Sequence, residues 1–538
     1  MTEYTTQRLK PAWEYRAPRP SWRAVFLLWI PAYLLVAAIL LPVVYLVFRA
    51  VSGQAAIGDL IFRPRNLEIL WNSIILALSI TAASIVISLP MAWLTTRTDL
   101  PFRRGWALLT ALPLVIPSYI GAYLFVSAMG PRGIVQGWLE TLFGIERIPS
   151  LYGFPGALFV LTLLTYPYIL LSVRAALAGM DPAIEEAARS LGHTPWQTFW
   201  RVTLPQLRPA LTSGSLLAIL YALRDFGAVA ILRYNTFTRA IYVQYQSSLD
   251  RSAAAVLALI LILLTLILLA LEIRTHATHR YRSTSRVRPP TIIPLGKWKW
   301  PAILFCGGVA MAALILPAVN LAYWLVRGVQ AGERITSLWG LSLNSFSISL
   351  IAALVTVAAS LPISILRVRR AGRHTILLER LTYLGFALPG IVIALALVFF
   401  GANYVPFLYQ TAPMLIFAYV VLFLPQAVGA VETSLLQVHP NLEEAGRSLG
   451  KGPIQVFRRI TFPLVQPGLG AGIALVFLTT MKELPATLFL SPLGFKTLAT
   501  SVWGAVSEAF FAQAAAPALL LILVSSVPMA FLTIRKQL

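Results

Sequence analysis

The chain reads as an all-α polytopic membrane protein, with about 12 transmembrane helices in two pseudo-symmetric six-helix halves. Three observations predict this. Of its 538 residues 58% are hydrophobic and 12% charged, with a mean hydropathy of +0.77, whereas a soluble domain carries about 25% charged residues. Apolar runs recur at the length that spans a bilayer, roughly 17 to 25 residues each. Finally, EEAARSLGHTPWQTFWRVTLPQLRP at 185–209 returns as EEAGRSLGKGPIQVFRRITFPLVQP at 443–467, identical at 14 of 25 positions without a gap. A polar cassette used twice in an apolar chain suggests two docking surfaces for a two-fold partner.

Residues 1–23 are a polar segment, and the apolar run that follows is too long for a typical signal-peptide core, so no cleavage is expected. The first half, 24–273, has spans near 24–48, 71–96, 106–129, 154–178, 210–232 and 252–273, its core running from about 70 to 273. A linker at 274–300 carries Arg274, Arg280, Arg282, Arg286, Arg288, Lys297 and Lys299 with Pro289, Pro290 and Pro294. The second half, 301–538, places spans near 301–326, 343–366, 381–401, 411–436, 468–490 and 510–534, with a core of about 341–534. Asn72, Ser73, Leu89 and Pro90 correspond to Asn344, Ser345, Leu361 and Pro362 at a shift of 272, against 258 for the cassettes, so the whole unit is duplicated with unequal loops.

Basic residues collect on the cytoplasmic side of membrane proteins. With the N-terminus inside, most of the 43 Lys and Arg fall on that side, as do both cassettes and both termini. The net charge of +23 is then topology and contact with anionic lipid, and no nucleic-acid partner is expected. Cys306, the one cysteine, cannot form an intrachain disulfide.

The cassettes span 181–209 and 439–467. In the first, Asp181 can cap a short helix that has Pro182 at its first position and ends near Gly192, a residue suited to a left-handed cap. A second helical stretch follows with an aromatic face of Trp196, Phe199 and Trp200, and Pro205 and Pro209 mark the start of the next span. This predicts a helix-turn-helix outside the membrane. An interfacial hairpin that only orients its neighbours is the plainer alternative. Repetition of Glu185, Glu186, Ala187 and Gly192 as Glu443, Glu444, Ala445 and Gly450 argues for docking, because lipid contact needs no such identity.

These cassettes resemble the coupling loop of permease subunits of ABC importers, patterned EAA, three residues, G, nine residues, I-x-L-P. Glu186, Ala187, Ala188, Gly192, Val202, Leu204 and Pro205 fill the pattern once; Glu444, Ala445, Gly450, Ile460 and Pro463 fill it again, with departures at Gly446 and Phe462. The Gly is expected to cost the second helix about 1 kcal/mol. TRTDLPFRR at 96–104, LPLVIPSYIGAY at 112–123, GPRG at 130–133 and YALRDFGAVAILRYNTFTRAIYVQY at 221–245 resemble fused permeases of bacterial ferric-iron importers; related fused permeases carry thiamine, phosphonates or polyamines. The resemblance implies a type I importer fold in the bacterial inner membrane. It also implies two copies of an ATPase subunit, each receiving one loop, and an extracytoplasmic solute-binding protein that delivers cargo. The acidic pair at each loop helix would meet basic residues of the ATPase.

No catalytic residues are expected. The chain lacks G-x-x-x-x-G-K-[ST], HExxH, GxSxG and any Cys/His cluster, so it binds no cofactor and ATP is used by the partner subunit. A secondary transporter or channel is the competing class, but it needs no docking cassette.

Candidates for a translocation path are Arg224 and Asp225 in the fifth helix of the first half and Lys482 and Glu483 in the second, 258 apart. A charge at mid-bilayer costs about 2.5 to 3.5 kcal/mol, so these face a partner, a cavity or a helix end. Gly227 and Pro485 would let the helices break; alternatively the spans finish near 223 and 481 and leave outer ion pairs. Asp225 and Glu483 suit a hard cation. Tyr119, Tyr123, Tyr166 and Tyr168 could offer phenolic oxygens, although anchoring at the interface is the expected role, and no firm metal site is read. His193, His276, His279, His374 and His439 lie in segments expected in the cytoplasm, and Pro113, Pro117 and Pro389 should kink the third helix of each half.

Overall fold

The computed structural model describes residues 28–52, 62–130, 133–144, 150–247, 252–276, 292–332, 338–370 and 372–535. Segment 1–23 and most of the basic linker, with Arg280, Arg282, Arg286 and Arg288, lie outside them, as does His279. The first-half helices are α1 (Ile30–Val51), α2 (Pro64–Arg97), α3 (Arg103–Leu109), α4 (Ser118–Met129), α5 (Ile134–Phe143), α6 (Phe154–Gly179), α7 (Pro182–Ser190), α8 (Pro195–Thr198), α9 (Leu204–Arg224), α10 (Gly227–Ile231), α11 (Phe237–Ser247) and α12 (Ser252–His276). In the second half come α13 (Lys299–Ala310), α14 (Leu316–Gln330), α15 (Leu338–Arg369), α16 (Arg373–Ala387), α17 (Gly390–Tyr404), α18 (Ala412–Gln437), α19 (Pro440–Ser448), α20 (Pro453–Val456), α21 (Phe462–Met481), α22 (Pro485–Leu490), α23 (Leu498–Ser507) and α24 (Phe511–Arg535).

Among the described residues eight helical stretches are long and apolar enough to cross a membrane, and two more spans are helix pairs bent by 98° and 95°. Those pairs are the third span of each half. Pro117 and Pro389 end up as the residues before α4 and α17, so the expected kinks are near-perpendicular breaks. The two remaining predicted spans fall on α9 with α10 and on α24.

The second cassette helix is continuous with the fifth span, which corrects the expected helix-turn-helix lying wholly outside the membrane. Single π turns at Phe199–Thr203 and Phe457–Thr461 join α8 to α9 and α20 to α21. Each is followed by a proline at the second position of the next helix, Pro205 or Pro463. A proline removes one ladder bond and crowds the carbonyl four residues back, and the wider turn absorbs both effects.

The chain packs as two compact units: Met1–Pro42 with Ile348–Phe386 and Ile416–Thr480, and Val43–Ser347 with Ala387–Leu415 and Met481–Leu538. These cross the duplication. In the second unit the Tyr45 ring of α1 lies 6.1 and 5.9 Å from Phe400 and Tyr404 of α17, and Asn320 of α14 donates to the Leu124 carbonyl at 2.8 Å and to Ser127 at 2.6 Å. An amide in an apolar helix needs such partners, so Asn320 holds the second half's first span against α4. The Asn-Ser repeat also acquires a purpose. Ser73 Oγ accepts from Phe237 N at 3.1 Å and Ser345 Oγ from Leu498 N at 2.7 Å, tying the second span to the first residue of α11 in one half and of α23 in the other.

Candidate functional site

Helix α7 begins with Asp181 accepting from Ala183 N at 3.0 Å, and Gly192 follows it at φ +90°. Its counterpart α19 is capped by His439 Nδ1, which accepts from Asn441 N at 3.3 Å, and is followed by Gly450 at φ +78°. Both ends of each helix are capped, so each is a short, self-contained helical piece.

The acidic pairs are split, which alters the expectation that both carboxylates point outward. Glu185 turns inward, accepting from Thr203 Oγ1 at 2.8 Å and facing Arg97 Nη1 at 3.7 Å. Glu443 does the same, accepting from Thr461 Oγ1 at 3.0 Å and from Arg369 Nε at 3.1 Å. Only Glu186 and Glu444 remain on the exposed side, with Ala187 and Ala445. Arg97 and Arg369 stand 272 apart and Thr203 and Thr461 stand 258 apart, so both repeat shifts close on one triad at each loop. Those shifts are the signal by which the arginines could be found from sequence.

The two triads differ in quality. Arg369 also donates to the Val438 carbonyl at 3.0 Å, whereas the Arg97 guanidinium, 2% exposed, makes no hydrogen bond among the described residues. Outward, the loops carry matching apolar residues: Ile184, Leu191 and Trp196 on one, Leu442, Leu449 and Ile454 on the other, with Leu191 82% and Leu449 80% exposed. Pro205 is half-buried and Pro463 exposed.

Gly446 has a packing reason. A Cβ there would sit 2.5 Å from Ile460 Cδ1 and 3.3 Å from Val456 Cγ2. The first loop has Ala188 and Val202 at these places, so one methyl group has moved from the helix to its neighbour. Gly446→Ala is expected to destabilise the second loop by about 1 kcal/mol through overpacking, and adding Ile460→Val should make alanine favourable by about 1 kcal/mol through helix propensity. Thermal unfolding of the four variants measures both signs.

The four charged candidates lie at two helix breaks, α9 to α10 and α21 to α22. Asp225 Oδ1 accepts from Ala228 N at 2.9 Å and Val229 N at 3.4 Å, and its carboxyl also meets the Ser118 hydroxyl at the start of α4. Glu483 Oε1 accepts from Ala486 N at 3.3 Å and packs against Gly390, the first residue of α17. Each carboxylate therefore serves two helix N-termini, where negative charge is favoured. Lys482 Nζ donates to the Leu114 carbonyl at 3.1 Å, and Arg224 and Glu483 act on each other as opposite charges. Tyr119 is 3% exposed, its backbone packs on Gly227, and its hydroxyl has no hydrogen-bond partner among the described residues.

The tyrosines correct the anchoring expectation. Tyr123 donates to the Phe511 carbonyl and Tyr166 to the Thr110 carbonyl, and both residues are 0% exposed, so they join helices inside the protein. The Tyr168 ring lies 5.5 Å from that of Tyr221. Among the described residues no three His, Cys, Asp or Glu side chains stand together as a metal cluster.

Similarity to known permeases extends over most of the chain. It is 36% identical over 495 residues to the Fe(3+)-transport system permease protein FbpB 2 of Haemophilus influenzae, covering 91% of this chain and 94% of that protein. It is 26% identical over 447 residues to the ferric transport system permease protein FbpB of Actinobacillus pleuropneumoniae, covering 79% and 64%. The molybdenum transport system permease protein ModB of Escherichia coli is 33% identical over 200 residues, 35% of this chain and 85% of ModB. Residues 84–283 and 357–536 each match the same family unit, so the chain belongs to the binding-protein-dependent transport system inner membrane components and contains that unit twice.

Proposed function

We propose that this permease carries ferric iron into the cytoplasm, driven by two copies of a separate ATPase and supplied by an extracytoplasmic binding protein. The observation that carries the cargo is the 36% identity to a ferric permease across 91% of the chain. The ATPase reading rests on the duplicated, end-capped helices with their matched apolar faces. Leu191 and Leu449 are the apolar contacts, Glu186 and Glu444 the charged ones, and the inward triads transmit a push on α7 and α19 to α2 and α15. With the N- and C-termini in the cytoplasm, both loops emerge on the ATPase side. The halves 24–273 and 301–538 act as the two permease units, joined by 274–300.

The path runs through the helix breaks. Asp225 and Glu483 hold the broken ends in place, Arg224 and Lys482 brace them, and Tyr119 provides a hard oxygen that no other described residue uses. ATP-driven accumulation in proteoliposomes containing this chain, the ATPase and a binding protein loaded with radiolabelled ferric iron tests the proposal. Accumulation of molybdate or thiamine in place of iron would overturn the cargo. Transport that persists without the ATPase would instead identify a secondary transporter.

A further inference from the structure

The two coupling loops are not braced alike, and the end of the inter-half linker makes the difference. Ile293 N donates to the Arg97 carbonyl at 2.8 Å and Asp99 N to the Ile293 carbonyl at 3.2 Å, forming a parallel bridge between Thr98 and Ile293. Asp99 Oδ1 accepts from Leu295 N at 2.8 Å, and its other oxygen meets Lys299 Nζ at 2.8 Å. Lys299 is the first residue of α13, the opening helix of the second half's first span. One short segment thus ties that span to the residue carrying the partner of Glu185.

The second loop lacks the aspartate of this tie. The shift of 272 puts Ala371 where Asp99 stands, and Ala has no acceptor for such a tie. The second loop has less need of one, because Arg369 already bonds Glu443 and the Val438 carbonyl. Among the described residues the Arg97 guanidinium has its ion pair with Glu185 but no hydrogen bond, so the place of its side chain depends on where its backbone is held.

We propose that residues 292–299 clamp the chain at 97–99, making Asp99 and Lys299 positioning residues that keep the first coupling helix, and not the second, in mechanical register with α13. The Lys299 ammonium keeps the Asp99 carboxyl below its usual range. It is therefore fully charged at physiological pH, and acid loosens the clamp only below the ordinary carboxylate range. Salt loosens it sooner, since the two side chains are 41% and 32% exposed.

The inference rests on the coupling reading for its consequence but is tested apart from cargo. In full-length Cys306→Ala protein, a spin label is attached at Ser190→Cys in α7 or at Ser448→Cys in α19, both exposed. Asp99→Asn is expected to raise the mobile fraction at 190 by about two- to fivefold, the scale of an exposed ion pair, and to leave 448 unchanged. A Thr98→Cys/Ile293→Cys disulfide, formed across bridge partners, should return the 190 label to its original mobility in the Asp99→Asn protein. No change at 190, an equal change at both labels, or failure of the disulfide to restore order overturns the clamp. In proteoliposomes the same Asp99→Asn change should lower iron moved per ATP by about two- to fivefold. Wild-type protein that moves no iron would refute the cargo while leaving the label result to decide the clamp.

Discussion

Glu483→Gln is expected to cut uptake more than tenfold and to lower the thermal midpoint of the solubilised permease, whereas Asp225→Asn leaves both close to wild type. Both amides keep the shape of the original side chain and can still accept from Ala486 N or Ala228 N. They differ in what loses its counter-charge. Glu483 is the carboxylate that acts on Arg224, while Asp225 meets a hydroxyl and two backbone N–H groups. Leaving the half-buried Arg224 without that counter-charge costs about 2 kcal/mol, but asparagine caps a helix as well as aspartate does. Removing both charges together, as Arg224→Met with Glu483→Met, should recover most of the stability, since neither charge is then left without its counterpart. Equal damage from Glu483→Gln and Asp225→Asn would show that the charges act on cargo alike and that the pairing is misassigned.

Arg369→Ala should weaken association with the ATPase subunit far more than Arg97→Ala. The first change strips two partners, Glu443 and the Val438 carbonyl, and leaves a carboxylate 11% exposed beside Thr461 and Arg447 among the described residues. A cost of about 2 kcal/mol follows, or roughly thirtyfold in the population of seated loop. Arg97 has an ion pair at 3.7 Å without a hydrogen bond, and its loss also relieves the desolvation of a buried guanidinium. About 1 kcal/mol, or fivefold, is expected there. Arg369→Lys should fall between, because an ammonium cannot hold the carboxylate and the carbonyl in the planar fork that arginine offers. Titration of ATPase binding to each variant in detergent gives the order, and an Arg97→Ala protein as impaired as Arg369→Ala would refute the unequal bracing.

Much of the fold is legible in the sequence because its signals are local. Hydropathy adds up along the chain, so spans such as 154–178 and 411–436 coincide with α6 and α18 to within a residue or two. Capping is equally local: Asp181, Pro182 and Gly192 announce α7 without reference to anything distant. The π turns before Pro205 and Pro463 are not legible, since a proline near a helix start also fits an ordinary first turn. Nor is the interior placement of Tyr123 and Tyr166, because an aromatic residue in an apolar run suits a lipid interface and a protein core equally well.

By itself the sequence determined an all-α permease of two similar halves with one short polar helix repeated in each, and it singled out the four charges that lie at helix breaks. Tertiary structure alone decided which glutamate of each pair turns inward, which arginine meets it, and why Gly446 stands opposite Ile460. Glu443 and Arg369 are 74 residues apart, and Ser118 and Asp225 belong to different broken spans. The partner of a buried charge depends on which helix ends meet in space, a property that no single stretch of chain contains.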